Sequence, residues 1–154
     1  MNLQFLFLFV FMSSNMFATP IEELRKLFDS AINNEQSAEL LLQQSASNGI
    51  ERNTLLGYKA ATQMIMAKFY FNPWKKLQAF NLGKGQLETA IQNEPNNIEL
   101  IFLRYMIQKN SPSFLHYNNS IASDKKILLL SINNLKDQDL KSRISNYLKT
   151  AEKP

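Results

Sequence analysis

The chain contains no cysteine, one histidine (His116) and four glycines, and no charged side chain precedes Glu22. Without cysteine there is no disulfide, no thiolate metal ligand and no lipid-acylated cysteine of the bacterial lipoprotein kind, so the fold must rest on packing alone. With a single histidine and no HExxH spacing, neither a zinc site nor another histidine cluster is expected, and no cofactor is implied. No Gly-x-Ser-x-Gly nucleophile turn accompanies His116, which is read as an ordinary surface or packing residue and not as part of a catalytic triad. No catalytic motif of any other kind is found, and the chain is read as a non-enzyme. Strand signals are also missing outside the first eighteen residues.

What is present begins with those eighteen residues. Leu3 and Phe5 to Met12 form an apolar run, followed by Ser13-Ser14-Asn15 and by Met16-Phe17-Ala18 before Thr19-Pro20. A hydrophobic stretch of roughly 7–15 residues ahead of a small-residue cleavage site is the layout of a secretory signal. The run is about half the ~20 residues needed to span a bilayer. A signal cleaved after Ala18 is the expectation, with an uncleaved anchor and a buried core helix as alternatives. Residues 19–154 then form one exported domain, periplasmic or secreted, that meets a membrane only if the signal is retained.

Charge is uneven. Thr19–Ile50 carries two basic and five acidic residues, whereas Glu51–Lys84 carries six basic residues against Glu51 alone. Such a basic middle would suggest nucleic acid in a cytosolic protein. Export argues against that partner, and the singly spaced lysines read as a solvated helix face.

Every long segment of residues 19–154 has helical periodicity. Thr19-Pro20-Ile21-Glu22 forms a capping box with proline at the first helical position, and Ile21, Leu24, Leu27, Phe28, Ala31 and Ile32 make one stripe. A second helix is expected from Gln36 to Ser47, stopped by Asn48-Gly49. The third, from Asn53 to Phe71, has two apolar stripes, one of them carrying Gly57 and Ala61, as an interior helix would. A fourth runs from Trp74 to Asn93 with Leu77, Phe80, Leu87, Ala90 and Ile91 inward, and Gly83 is assigned to close helix packing. Helices over Ile98–Lys109, Ile121–Asn134 and Asp137–Thr150 follow, with a short turn at Ser113–Ser120. The sixth is expected to bury Ile127, Leu128, Leu130 and Ile132, and the seventh to cap the array.

Gly83, Leu87, Ala90 and Pro95, followed by the link Glu94-Pro95-Asn96-Asn97, resemble the second helix and exit of a tetratricopeptide repeat. The match covers about Gly83 to Asn97, and Pro73, Arg104 and Tyr105 depart from the pattern on either side. The resemblance implies antiparallel helical hairpins stacked in a short right-handed superhelix of six to seven helices, presenting a concave surface to a protein or peptide partner. The string from Phe102 to Lys126 also resembles a family of exported helical proteins of Bacteroidota, which implies no activity. Stacked hairpins each need a neighbour to cover their apolar face, so about three units are required.

Two constellations are candidate partner or ligand surfaces. Arg104, Tyr105, Gln108 and Asn110 lie close in sequence to Phe114, Tyr117 and Asp124. They form either an Arg104–Asp124 pair locking the loop onto the fifth helix or a polar groove for a small ligand, a glycan or a reaction. Phe69, Tyr70, Phe71, Trp74 and Phe80 crowd the turn between the third and fourth helices beside Lys68, Lys75 and Lys76. They are read as a packed corner, with a peptide or glycan site built on Tyr70 and Trp74 as the alternative. Met64 and Met66 could suggest copper, but residues two apart on a helix point about 200° from each other. Glu35 with Glu39, and Asp137 with Asp139, are assigned structural roles; the last two suit a helix start.

Overall fold

A computed structural model describes residues 19–44 and 49–151; the segment 1–18 read as a secretory signal lies outside the described residues. Among the described residues the chain is all-α, with helices α1 (Pro20–Ala31), α2 (Glu35–Gln43), α3 (Arg52–Met66), α4 (Pro73–Asn93), α5 (Ile98–Asn110), α6 (Ile121–Ser131) and α7 (Gln138–Ala151). Single 3-10 turns at Ser113–Leu115 and Ile132–Asn134 punctuate the last third. No described helix is long and apolar enough to cross a membrane.

Consecutive helices pack as α1–α2, α3–α4 and α5–α6 pairs, with α3 also touching α1, α2 and α5. The two-striped sequence of α3 accounts for this interior position, and Gly57, Ala60, Ala61 and Thr62 on it are all buried. Two glycines set the spacing. A Cβ on Gly83 of α4 would collide with the Ala60 carbonyl and lie 2.9 Å from the Met64 nitrogen, and one on Gly57 would collide with Leu100 of α5. The α3–α4 interface is therefore a close backbone approach, as the sequence around Gly83 implies.

The principal core runs from Leu24 and Phe28 of α1 through Leu41, Leu55 and Tyr58 to Leu87, Leu100 and Leu103. A second core joins Ile101, Phe102 and Tyr105 on the other face of α5 to Leu128 of α6 and Leu140, Ile144 and Leu148 of α7. Helix α5 is thus apolar on both sides. Each fully buried leucine contributes about 1.5–3 kcal/mol relative to exposure, and α7 completes the second core as a terminal cap.

Local chemistry fixes the ends. The Thr19 hydroxyl accepts from the Glu22 amide (3.4 Å) while the Thr19 amide donates to the Glu22 carboxylate (3.1 Å), closing the capping box. Asn72 caps α4 by accepting from Trp74 and Lys75 amides. In the Glu94–Asn97 link, the Asn97 Oδ1 caps α5, and its Nδ2 donates to Glu94 (2.7 Å) and to Thr54 of α3 (3.1 Å). Asn53 donates to the other Glu94 oxygen (2.7 Å), so the link ties two hairpins together.

Several boundaries and faces differ from expectation. Helix α2 ends at Gln43, where Lys59 of α3 donates to the Gln44 carbonyl (2.7 Å). Gly49 does take a left-handed φ of 100°; residues 45–48, which hold the last of the expected helix and Asn48 of its stop, lie outside the described residues. Helix α3 stops at Met66 and unwinds through tighter turn bonds at Ala67, Lys68 and Phe69. Leu77 (41% exposed) lines an open cleft instead of the closed core, and Leu130 (68% exposed) and Ile127 are exposed instead of buried. On α6 the buried residues are Asp124 and Leu128, the stripe that meets α5.

Candidate functional site

The polar constellation around Arg104 assembles, and it does so as an internal lock. Arg104 on α5 forms a two-pronged pair with fully buried Asp124 of α6, Nε to Oδ2 at 2.8 Å and Nη2 to Oδ1 at 2.7 Å. Its third nitrogen, Nη1, donates to Glu88 of α4 at 2.9 Å. The other Glu88 oxygen accepts from the Tyr117 hydroxyl at 2.6 Å. Gln108 accepts from the Ser120 amide at 3.1 Å, fixing the start of α6. Tyr117 packs edge-on against Phe80, with the Lys84 ammonium 5.1 Å from its ring centre.

Electrostatics follow this geometry. The Asp124 carboxylate holds the Arg104 pKa above its usual value despite burial. Burial, reinforced by the Glu88 carboxylate, pushes the Tyr117 phenol well up. Both oxygens of Asp124 and Glu88 already accept a hydrogen bond, and each Arg104 nitrogen donates one. A buried pair with its hydrogen bonds satisfied has little capacity left for a ligand. Asn110 stands apart from this cluster, donating to the Met106 carbonyl and to the Tyr147 hydroxyl, both at 2.7 Å.

A second ionic network went unrecognised in the sequence. Arg25 of α1, 1% exposed, pairs with Glu99 of α5 (2.7 and 3.0 Å) and reaches Asp137 (2.7 Å) and Asp139 (2.9 Å) at the start of α7. Tyr58 of α3 donates to the same Glu99 at 2.7 Å. Arg143 extends the network from Asp139 (2.9 Å) to Asp29 (2.7 Å). Burial opposes the Arg25 charge, but the Glu99 and Asp137 bonds outweigh it and raise its pKa. Burial and the Glu99 charge together push Tyr58 up. Asp137 is lowered by Arg25 and by the Leu140 amide it caps, against a desolvation cost. First and last described helices are thereby joined through the interior.

The aromatic corner divides. Phe80 is buried in the principal core, and Phe69 and Tyr70 pack partly against buried residues, Tyr70 against the small cluster of Ala31, Ala38 and Met66. Phe71 is fully exposed and Trp74 is 75% exposed, which corrects their reading as core. Helix α3 ends at Met66 and Pro73 opens α4, a position that suits proline and disfavours helix in the residue before it, so Phe71 falls on the connecting turn and Trp74 on the exposed first turn of α4.

Beside this corner lies a cleft of about 1000 Å³ that no sequence motif marks. Phe28 of α1 and its C-cap Ile32, Met64 and Ile65 of α3, and Met106 and Ile107 of α5 line it on one side. Pro73, Leu77 and Phe80, on one stripe of α4, face them, and Phe114 from the 3-10 turn overhangs with 73% exposure. The charged side chains on it are Lys68 and Lys76, with Lys68 donating to the Ile32 carbonyl at 2.9 Å. Asn110 and Tyr147 supply a polar spot on the wall.

The remaining candidates stay dispersed. His116 is exposed, in a left-handed conformation (φ 46°) that closes the 3-10 turn. Met64 and Met66 are buried in two different clusters, so they do not share an ion. Glu35 and Glu39 are exposed, and no group of three or more histidine or acidic side chains among the described residues is placed to hold a metal. No protein-family model, curated protein or solved structure matches the chain.

Proposed function

We propose that this protein is an exported helical-hairpin module that binds a protein or peptide partner in the apolar cleft and performs no chemistry of its own. The observation that carries the reading is the cleft itself. It is at the upper end of the roughly 300–1,000 Å³ usual for ligand pockets, with an apolar lining that includes exposed Leu77 and Phe114. Exposed apolar surface of this kind marks an interaction site, and an exposed aromatic such as Phe114 on its lining suits an anchor of a protein interface. The paired α1–α2, α3–α4 and α5–α6 helices and the close approach at Gly83 support the tetratricopeptide-like part of the reading. The apolar run before Thr19 supports export.

Binding is tested by titrating the full chain with a synthetic amphipathic helical peptide and following peptide fluorescence anisotropy. Saturable binding that is weakened about tenfold or more by Leu77→Asp or Phe114→Asp is the expected result. Failure of every such peptide to bind, or binding indifferent to both substitutions, would sink the proposal. Export is tested separately by the intact mass of secreted material, which should begin at Thr19.

A further inference from the structure

We infer that the occupant of the cleft is an acidic amphipathic helix of a partner protein: one face leucine-like, flanked by Glu or Asp that pair with Lys68 and Lys76. The inference rests on the cleft being the partner site and adds which partner chemistry it takes.

Shape argues for a helix. The cleft is bounded on one side by successive turns of α4, where Pro73, Leu77 and Phe80 repeat at helical spacing, and on the other by the ends of α1, α3 and α5. A groove between helices accepts an amphipathic helix through anchors at i, i+3, i+4 and i+7. Size argues against a small amphiphile. Phe114 on the lining stands 73% exposed, where an acyl chain within the cleft would leave it in water and a partner chain would cover it.

Charge selects the sign. Lys68 and Lys76 are both exposed and both on the lining, and no acidic side chain is among the described lining residues. Lys68 also covers the Ile32 carbonyl, offsetting the negative end of α1 next to the cleft. The surrounding stretch Glu51–Lys84 carries six basic residues and one acidic residue. A basic helix would meet like charge here, a neutral one would leave both ammonium groups without an acid to pair with, and an acidic one complements them.

The test compares two synthetic peptides of about four turns with identical leucine faces, one flanked by Glu and one by Lys, each titrated into the full chain at low and high salt. The Glu peptide should bind at least about fivefold more tightly at low salt, with the gap narrowing as salt screens the rim. A Lys68→Glu/Lys76→Glu variant should reverse the preference. Both lysines are exposed, so this variant is expected to fold, and its circular dichroism verifies that. Equal affinity for the two peptides, or no reversal, overturns the acidic-helix inference and leaves the binding module standing. If neither peptide binds, both readings fall. Decanoate binding without peptide binding would assign the cleft to a small amphiphile. Sedimentation showing a dimer that Leu77→Asp dissociates would assign it to a second copy of this chain; either result overturns the inference.

Discussion

The Arg104 cluster and the apolar cleft lie on neighbouring stretches of α4 and α5, yet they differ in how completely the protein satisfies its own groups. Around Arg104, polar side chains from α4, α5, α6 and the connecting loop bond one another, and Asp124 is wholly excluded from water. In the cleft, apolar side chains from α1, α3, α4 and α5 converge and remain open. A concentration of polar residues in sequence marked the place where the fold is fastened. The surface left uncovered is apolar and was not marked by any motif. Folding and binding are therefore assigned to separate sets of residues, and substitutions can set one against the other.

The largest effect is expected at Arg25, whose charge answers three acids from α5 and α7. Arg25→Ala leaves buried Glu99 without its main partner and should cost about 3–5 kcal/mol in urea melts. Removing the charge from both sides, as in Arg25→Met with Glu99→Met, should recover part of that loss. Arg104→Ala is expected next, at about 2–3 kcal/mol, because Asp124 is fully buried while the arginine itself retains some solvent. A melt unchanged by Arg104→Ala would return the cluster to candidacy as a binding site.

Gly83→Ala tests the close approach of α3 and α4. The gain in helix propensity is about 1 kcal/mol, but the new methyl meets backbone atoms of Ala60 and Met64, so a net loss of about 1–3 kcal/mol is expected from overpacking. The same change at Gly85, which has open space around it, should instead stabilise.

Titration gives a milder probe of the same networks. Tyr58 and Tyr117 have raised pKa values in the folded protein, so their contribution is fully present below the ordinary tyrosine value of about 10. It is lost as pH rises beyond that, because the unfolded chain releases protons that the folded chain retains. Thermal melting should decline above about pH 10, with a shallower decline in Tyr58→Phe and Tyr117→Phe. At the acid end, Asp137 and Glu94 are lowered, so their contribution is present above about pH 4 and disappears as pH falls through their folded values. The smallest effect on stability belongs to the cleft margin, where Leu77→Asp and Phe114→Asp should stay within about 0.5 kcal/mol.

How much of this was legible in the sequence follows from distance along the chain. Capping residues such as Thr19 and Asn72, and the Gly83 approach, act within one helix or one hairpin, and their chemistry can be read locally. Arg104 and Asp124 are twenty residues apart across one loop, close enough for a pairing to be foreseen. Arg25 and Glu99 are separated by 74 positions, and Arg25 and Asp139 by 114, so that network exists only once three helices have packed. The cleft is hidden for the same reason, since its walls come from the ends of helices distant in sequence. At the aromatic corner, composition suggested burial, but Phe71 falls on the connecting turn and Trp74 on the exposed first turn of α4.

The most direct measurement pairs a urea melt with a titration by the Glu-flanked peptide for the wild-type chain and for the Leu77→Asp/Phe114→Asp double variant. The account predicts melting curves that nearly coincide and an affinity lowered about tenfold or more in the variant. Unchanged affinity in the double variant, with binding abolished instead by a folded Arg104→Ala, would contradict it.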